Sequence, residues 1–168
     1  MSINIPSLRW TIFWSITTLL LALLWSQETK VENEISISAT KDKIWSVLVD
    51  LDSYHKWNPT RTGTGKIQSL GQVPKWKLAN GAPDTAKISI YKPFDKLEWY
   101  GYLLNPLLLS GHHYFILKST PEETDSTIVC QGEAMSGVLP KLFWIIAKYV
   151  IEKDLVLVNK NLKSFCEE

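Results

Sequence analysis

The feature that most constrains the fold is a series of short strand candidates along the middle of the chain. Each candidate is rich in β-branched, aromatic or other apolar residues, and each break carries Gly, Pro or Asn. The predicted strands are 65–70, 75–79, 85–91, 97–103, 112–119 and 127–135. Links this short favour an antiparallel meander, because parallel neighbours need a crossover of a dozen or more residues.

Two short helices are predicted ahead of these strands. The alternating segment 34–39 predicts a first strand, and Thr40 is suited to cap the helix that follows it. That helix presents Ile44 and Leu48 on one face. Residues 54–57 predict a second helical piece, which ends at Pro59 because proline disfavours helix in the residue before it.

The C-terminal segment predicts one long helix that begins at Lys141. No Gly or Pro occurs after Pro140. An apolar stripe at helical spacing continues to the end of the chain: Trp144, Ala147, Ile151, Leu155, Val158, Leu162 and Phe165. A stripe on one face of a helix must be buried against another element, so the chain is predicted to be an α+β domain with this helix on the sheet.

Several stretches resemble motifs of one known family. Residues 52–59 read Asp-Ser-Tyr-His-Lys-Trp-Asn-Pro and resemble "F-x-x-Y-x-x-W-N-P", and residues 96–101 resemble "x-L-x-W-x-G". Residues 37–45, 110–117 and 134–139 resemble its opening helix start, "x-G-x-H-x-F-x-L" and "F-S-G-x-L". The family is the polyketide cyclase/dehydrase-type SRPBCC proteins of the START superfamily. Thr40 stands where that family often has proline, which is compatible with a helix start.

The resemblance covers roughly residues 34–168 and implies the helix-grip fold. In that fold a curved antiparallel sheet wraps around a long C-terminal helix, with two short helices after the first strand. The family's cavity between sheet and helix commonly binds lipids, sterols or polyketides. We expect a membrane-tethered binding module that holds an apolar small molecule or lipid. The alternative is a cyclase or dehydratase that acts on a polyketide-like or lipid-like substrate.

Seven residues are the candidates to line the ligand cavity: Trp57, Leu97, Trp99, Leu103, His113, Phe115 and Leu117. Aromatic and aliphatic walls with one polar fixing point are typical of a small-molecule site, and His113 would be that point. The alternative for His113 is a core histidine that bonds to the backbone. No set of nucleophile, base and orienting group is visible, so no catalytic residue is assigned and a binding function is preferred.

The remaining titratable residues predict neither a metal site nor a disulfide. His112 and His113 are adjacent on a strand and point to opposite faces, so they cannot chelate one ion together. Glu98 and Glu133 are interpreted as exposed strand carboxylates. Cys130 and Cys166 are expected to lie too far apart for a bridge. No cofactor or metal is expected.

Residues 10–25 carry no charge and are predicted to form a transmembrane anchor. A cleaved signal segment and a buried core helix are the alternatives. Residues 1–9 would then be a tail, 26–33 a linker and 34–168 the domain. The positive-inside rule compares the basic residues that flank the two ends of the span, and here Arg9 on one side nearly balances Lys30 on the other. We expect a single-pass protein with an extracytoplasmic domain.

A second apolar stripe predicts contact between the domain and the bilayer. It lies opposite the core stripe on the C-terminal helix and accompanies an unusually apolar connection after residue 103. The candidate residues are Leu107, Leu108, Leu109, Leu142, Ile146 and Tyr149. The alternative is that this stripe fills the cavity or packs under loops.

The charge balance argues against nucleic acid as a partner. The chain has eighteen basic and seventeen acidic residues, and Arg9 is the one charged residue before Glu28. The rest of the chain is therefore neutral and lacks the excess of positive charge that binds phosphates. The expected partners are a hydrophobic small molecule or lipid and a membrane, and the chain is expected to be a monomer.

Overall fold

A computed structural model describes residues 8–26, 29–119 and 125–168. The helices are α1 (Leu8–Ser26), α2 (Lys41–Val49), α3 (Tyr54–Trp57), α4 (Val138–Leu142) and α5 (Trp144–Glu167), with a short 3₁₀ turn at Leu51–Ser53. The strands are β1 (Thr29–Ile37), β2 (Arg61–Thr64), β3 (Lys75–Leu78), β4 (Pro83–Asp84), β5 (Lys87–Lys92), β6 (Lys96–Leu103), β7 (Leu109–Ser119) and β8 (Thr127–Ser136).

Five strands form one antiparallel sheet in the order β1-β8-β7-β6-β5. Strands β5 to β8 are a meander, and β1 closes the other edge by pairing with β8 from Thr29 opposite Met135 to Ile37 opposite Thr127. A small second sheet contains β2, β3 and β4. Helix α5 lies across the main sheet and contacts β1 and β8. The predicted α+β, helix-grip architecture is confirmed.

The segment before the meander folds as its local signals predict. The Thr40 hydroxyl accepts a hydrogen bond from the Lys43 backbone N–H at 3.3 Å and so caps α2. Ile44 and Leu48 on that helix are completely buried in the core. Helix α3 is followed by its C-cap residue Asn58, whose side-chain oxygen accepts hydrogen bonds from the backbone N–H groups of residues 60 and 61. This turn directs the chain into β2.

Two predicted boundaries are wrong. Residues 65–70 are not a strand, because Gly65 has φ +83° and turns the chain after β2. The segment bonds instead to the end of α2, where the Ile67 N–H donates to the Val49 carbonyl at 2.8 Å. Residues 29–33 are predicted to be part of a linker but belong to β1, because each of them pairs with a residue of β8.

The C-terminal helix is also divided, contrary to prediction. Phe143 has non-helical backbone angles and separates α4 from α5. The first turn of α4 is fixed by another element: the N–H groups of Val138 and Leu139 donate to the carbonyls of Leu107 and Leu108 in the β6–β7 connection. The predicted core stripe is confirmed on α5, where Leu155, Val158 and Leu162 are buried and the other stripe residues are half-buried.

Helix α1 contacts α4, and each of its described side chains from Arg9 to Thr18, with Leu20, is exposed or half-exposed. Within the residues that the structure describes, no helix combines the length and the apolar character needed to cross a membrane. The structure therefore gives no support to the spanning helix or signal segment predicted at 10–25.

Candidate functional site

The candidate site is built on one row of residues that crosses three neighbouring strands. Trp99 on β6 pairs with His113 on β7, and His113 pairs with Glu133 on β8. Side chains that are direct partners in an antiparallel sheet project on the same face. All three therefore project on the face that α5 covers, whereas the adjacent His112 projects on the opposite face, as predicted.

His113 makes hydrogen bonds through both ring nitrogens. Nδ1 lies 2.9 Å from Glu133 Oε2, and Nε2 lies 2.9 Å from the Gln131 amide nitrogen. A carboxylate only accepts and an amide NH₂ only donates, so Nδ1 carries the proton and Nε2 is the acceptor. This is the neutral imidazole. Burial lowers the pKa of His113 below its ordinary value of 6.5, although the bond to Glu133 acts in the opposite direction.

The Glu133 carboxyl is ionised in this arrangement. Burial raises its pKa, but the hydrogen bond from His113 and the positive charge of Arg61 outweigh that effect and hold the pKa below the ordinary 4.5. His113 and Glu133 are direct partners in the register of β7 and β8, so their side chains start close to each other. The result is a carboxylate–imidazole pair at the inner face of the sheet.

Aromatic rings and one arginine hold this pair in place. The Trp99 ring stacks on the His113 imidazole with centroids 4.5 Å apart and planes 10° from parallel. The Arg61 guanidinium lies over Trp99 and Trp76, at 5.2 and 5.6 Å from their centroids. Its Nε–H donates to Asp84 Oδ2 at 2.8 Å. The small sheet thereby positions a cation next to the polar row.

A cavity of about 560 Å³ lies between this polar row and α5, and we call it the grip cavity. The lining residues are Pro59, Thr60, Arg61, Leu78, Ala79, Asn80, His113, Gln131, Glu133, Ile151, Asp154, Leu155, Leu157 and Val158. Helix α5 supplies a mostly apolar wall, and the sheet supplies hydrogen-bonding groups opposite it. This division suits a ligand with an apolar body and one polar end.

A side cavity of about 260 Å³ adjoins the grip cavity. The two share Arg61, Leu78, His113 and Glu133 in their linings. The side cavity continues along the sheet to the ends of β6 and β7, where residues 102, 103 and 109 line it. His113 and Glu133 therefore lie where the two spaces meet.

One buried polar atom of a lining residue has no partner among the described residues. Gln131 is 1% exposed, and its Oε1 makes no hydrogen bond in the part of the chain that the structure describes. Leaving a buried acceptor unsatisfied costs about 1–3 kcal/mol. Because Gln131 lines the grip cavity, a donor on a bound molecule would remove this cost.

The structure separates the predicted cavity residues into two groups. His113 lines both cavities, and Trp99 and Leu103 line the side cavity. The others line neither of these two spaces and are at most 2% exposed in the core: Trp57, Leu97, Phe115 and Leu117. Leu103 is itself 56% exposed, so it lies at the outer end of the side cavity.

Two interpretations of the carboxylates are wrong. Glu98 is buried on the outer face of the sheet, where it accepts bonds from Ser89, His112 and Lys96. Burial raises the pKa of Glu98, but these three contacts outweigh it and lower the pKa. Glu133 is half-buried and paired with His113, so an acid–base pair exists that was not visible in the sequence. His113 bonds to side chains and not to the backbone, contrary to the core-histidine alternative.

The structure adds residues that the sequence reasoning missed, above all Arg61, Gln131 and Glu133. A signal for two of them was present: Val129, Gln131 and Glu133 alternate along β8 and share one face. No pattern in the sequence predicted the position of Arg61, because that position depends on the small sheet.

Within the described residues, no group of three or more His, Cys, Asp and Glu side chains is arranged to hold a metal ion. Cys130 and Cys166 are free and buried.

The backbone is similar to solved structures that share little sequence with it. The Zhui aromatase/cyclase from Streptomyces sp. R1128 is 16% identical, with a TM-score of 0.61 over 84% of this chain and 94% of that chain. The di-domain ARO/CYC StfQ from the steffimycin biosynthetic pathway is 14% identical, with a TM-score of 0.59 over 83% of this chain and 51% of that chain.

A hypothetical protein from Helicobacter pylori is 15% identical, with a TM-score of 0.65 over 82% of this chain and 88% of that chain. These likenesses show that the chain has the helix-grip fold. No protein-family model matches the sequence, and the search of curated proteins gave no match. The expected monomer and the extracytoplasmic placement of the domain stay predictions.

Proposed function

We propose that the chain is a binding module for a small molecule with an apolar body and a hydroxyl or similar donor at one end. The observation that carries this proposal is that Gln131 lines the grip cavity and that its buried Oε1 has no partner among the described residues. A ligand donor at that atom would satisfy a buried acceptor that the protein leaves unpaired. The apolar body would lie against Leu155 and Val158 of α5.

The size of the cavity supports this function. Ligand cavities of proteins are typically about 300–1,000 Å³ in volume, and the grip cavity lies within that range. Its few polar groups converge on one wall, which is the arrangement that orients a mostly apolar ligand. Two of the similar structures carry the name aromatase/cyclase or ARO/CYC, and one of them is from the steffimycin biosynthetic pathway. Those names favour a ring-containing ligand for this chain as well.

The hydrogen bonding of His113 favours binding over catalysis. A general base needs a free nitrogen within hydrogen-bond reach of the proton that it removes. Both nitrogens of His113 are occupied, one by Glu133 and the other by the Gln131 amide. The imidazole therefore serves as a fixed part of the cavity wall that holds Gln131 with its oxygen free.

Two measurements test the proposal. Native mass spectrometry of the purified full chain should show a co-purified small molecule that is lost on denaturation. Fluorescence titration should show that 2-naphthol binds more tightly than 2-methoxynaphthalene, which lacks the donor. Gln131→Leu should remove that preference, about tenfold if one bond to a buried group is lost. Equal binding of both probes by the unaltered chain would contradict the proposal.

The neighbouring histidines provide a matched control for the same titration. His113→Phe should weaken 2-naphthol binding, because Gln131 loses the contact that orients its amide. His112→Phe makes the same change on the outer face of the sheet and should leave binding unaltered. Similar losses in both variants would indicate a general effect on the sheet rather than on the cavity.

A second candidate function is an enzyme of the cyclase or dehydratase type. The observation that favours it is the pair formed by His113 and Glu133, in which the carboxylate orients the imidazole as it would orient a general base. Catalysis would require a substrate to displace the Gln131 amide from Nε2. Turnover of a linear polyketide mimic that is lost in both His113→Phe and Glu133→Gln would establish this function in place of simple binding.

A further inference from the structure

An extensive apolar surface lies outside the grip cavity and is formed by three elements that meet at α4. They are α1, residues 102–110 in and around the β6–β7 connection, and residues 137–151, which contain α4 and the first turns of α5. Backbone bonds join the connection to α4, since Val138 and Leu139 donate to residues 107 and 108, and α1 contacts α4. We refer to these three elements together as the apolar surface.

The side chains on this surface are unusually exposed for their type. Ile145 is 87% exposed, Leu104 82%, Ile146 69% and Leu142 67%. The other exposed members are Trp10, Ile12, Phe13, Trp14, Ile16, Leu20, Leu103, Leu107, Leu108, Val138, Phe143, Tyr149 and Val150. Leu109, which was also expected here, is half-buried and lines the side cavity. Contiguous apolar patches larger than a few hundred Å² mark sites of protein or membrane contact.

The charge on the same elements indicates what covers them. Residues 8–26, 102–110 and 137–151 contain no Asp or Glu, and their charged residues are Arg9, Lys141 and Lys148. The whole chain is nearly neutral at +1, so the absence of acidic residues is local to this surface. Glu152, which forms an ion pair with Lys148 at 3.5 Å, lies directly beyond these segments. An apolar surface whose own charges are all positive is complementary to a bilayer with anionic headgroups.

One lysine on this surface lacks an acceptor. Lys141 Nζ is buried and has no hydrogen-bond partner among the described residues. Lys141 belongs to α4, the element that contacts both α1 and the β6–β7 connection. Because no acceptor holds this long side chain inside the protein, it can turn outward, where a lipid phosphate would supply an acceptor of the opposite charge. The exposed Trp10 and Trp14 of α1 are of the residue type that lies at the headgroup level of membranes.

We propose that the apolar surface is a docking site for an anionic lipid bilayer. Leucine and isoleucine side chains of α4, α5 and the connection enter the region between headgroups and acyl chains. Lys148 faces the phosphates, and Lys141 reaches them once its side chain has turned outward. This docking goes beyond the cavity function, because it needs no ligand in the grip cavity. The domain is then held with the outer end of the side cavity towards the lipid, since residues 102 and 103 line that end.

Co-flotation of the full chain with vesicles tests the proposal. The vesicles contain phosphatidylcholine alone or equal parts of phosphatidylcholine and phosphatidylglycerol. The unaltered chain should float with the anionic vesicles. Leu142→Glu combined with Ile146→Glu should lower the partition coefficient at least about tenfold, because two apolar side chains no longer enter the bilayer. Leu70→Glu combined with Val73→Glu is the matched control, since these residues are 65% and 56% exposed elsewhere.

Two further arms make the outcome decisive. Lys141→Gln should reduce the preference for anionic vesicles about fivefold, and Leu108→Glu should lower partitioning from a different element of the surface. Flotation that is absent in the unaltered chain, or equal in the Leu142/Ile146 and Leu70/Val73 variants, would overturn the proposal. A third result would also overturn it: the Leu142/Ile146 variant changes its oligomeric state on gel filtration while its flotation is unaltered. That result would show that the surface contacts another protein chain instead of a bilayer.

Discussion

The imidazole of His113 lies face to face with the indole of Trp99, 10° from parallel and with centroids 4.5 Å apart. The stack covers one face of the imidazole and leaves both ring nitrogens free to form hydrogen bonds. Glu133 bonds to one of these nitrogens and Gln131 to the other. The orientation of the Gln131 amide, and with it the free acceptor in the grip cavity, depends on an aromatic contact from a neighbouring strand.

The first prediction concerns the pH dependence of stability. The pKa of His113 is lower in the folded chain than in the unfolded chain, so below pH 6.5 the unfolded state binds more protons. Stability is then complete above that pH and is lost as the pH falls, by at most about 1.4 kcal/mol per unit. Urea unfolding between about pH 7.5 and pH 5 should show this loss in the unaltered chain and in His112→Phe. His113→Phe should lack it, and an unchanged slope in that variant would contradict the assignment.

The second prediction concerns the glycine opposite Tyr114. A Cβ at Gly132 would lie 2.3 Å from Cζ and Oη of Tyr114, which crosses the glycine from the paired strand. Gly132→Ala should destabilise the chain by about 1–3 kcal/mol, measured as a lower urea midpoint. Gly111→Ala is the control, because its nearest neighbour would be 3.5 Å away. In a Tyr114→Ala background the cost of Gly132→Ala should disappear, and its persistence would show that the clash is not the cause.

The third prediction compares two tryptophans. Trp45 on α2 is 5% exposed and packs on Tyr91 and Phe94, whereas Trp10 on α1 is 60% exposed. Trp45→Ala should cost about 3–5 kcal/mol of stability, because a large buried side chain leaves a cavity. Trp10→Ala should change stability by less than about 0.5 kcal/mol. Equal urea midpoints for the two variants would refute the placement of Trp45 in the core.

The fourth prediction concerns the support of Arg61. Asp84 accepts one hydrogen bond from Arg61 Nε–H at 2.8 Å and another from the backbone N–H of Ala86 at 3.0 Å. Asp84→Asn should cost about 1.5–3 kcal/mol, the range for hydrogen bonds to charged groups. Glu152→Gln breaks an exposed ion pair with Lys148 on α5 and should cost no more than about 0.5 kcal/mol. Equal losses in thermal unfolding would mean that Arg61 is not held by Asp84.

Local signals were sufficient to predict most of the fold. The strands of the meander, the cap at Thr40 and the buried stripe on α5 follow from alternation, capping chemistry and helical spacing, which a single sequence contains. The strand predicted at 65–70 fails because that segment is apolar for a different reason: Ile67 is buried against the end of α2. A short apolar run indicates burial, and it does not by itself indicate a strand.

The candidate site was harder to predict from the sequence than the fold was. The pairing of His113 with Glu133 depends on the register between β7 and β8, and a slip of one residue would turn one of them to the opposite face. Register is fixed by packing across the whole sheet, so no local pattern contains it. Arg61 reaches the same site from the small sheet, through a contact between segments that are far apart in sequence.

The position of the side cavity next to the apolar surface has a consequence for affinity. A ligand that arrives by lateral diffusion within the lipid leaves one apolar solvent for another, so burial of its apolar body gains little. Discrimination among ligands then depends on hydrogen-bonding groups that lipid tails lack, which are the Oε1 of Gln131 and the polar groups beside it. Such a cavity would distinguish among hydrophobic molecules by their hydroxyl groups, and its affinity measured in water would overstate its affinity at a membrane.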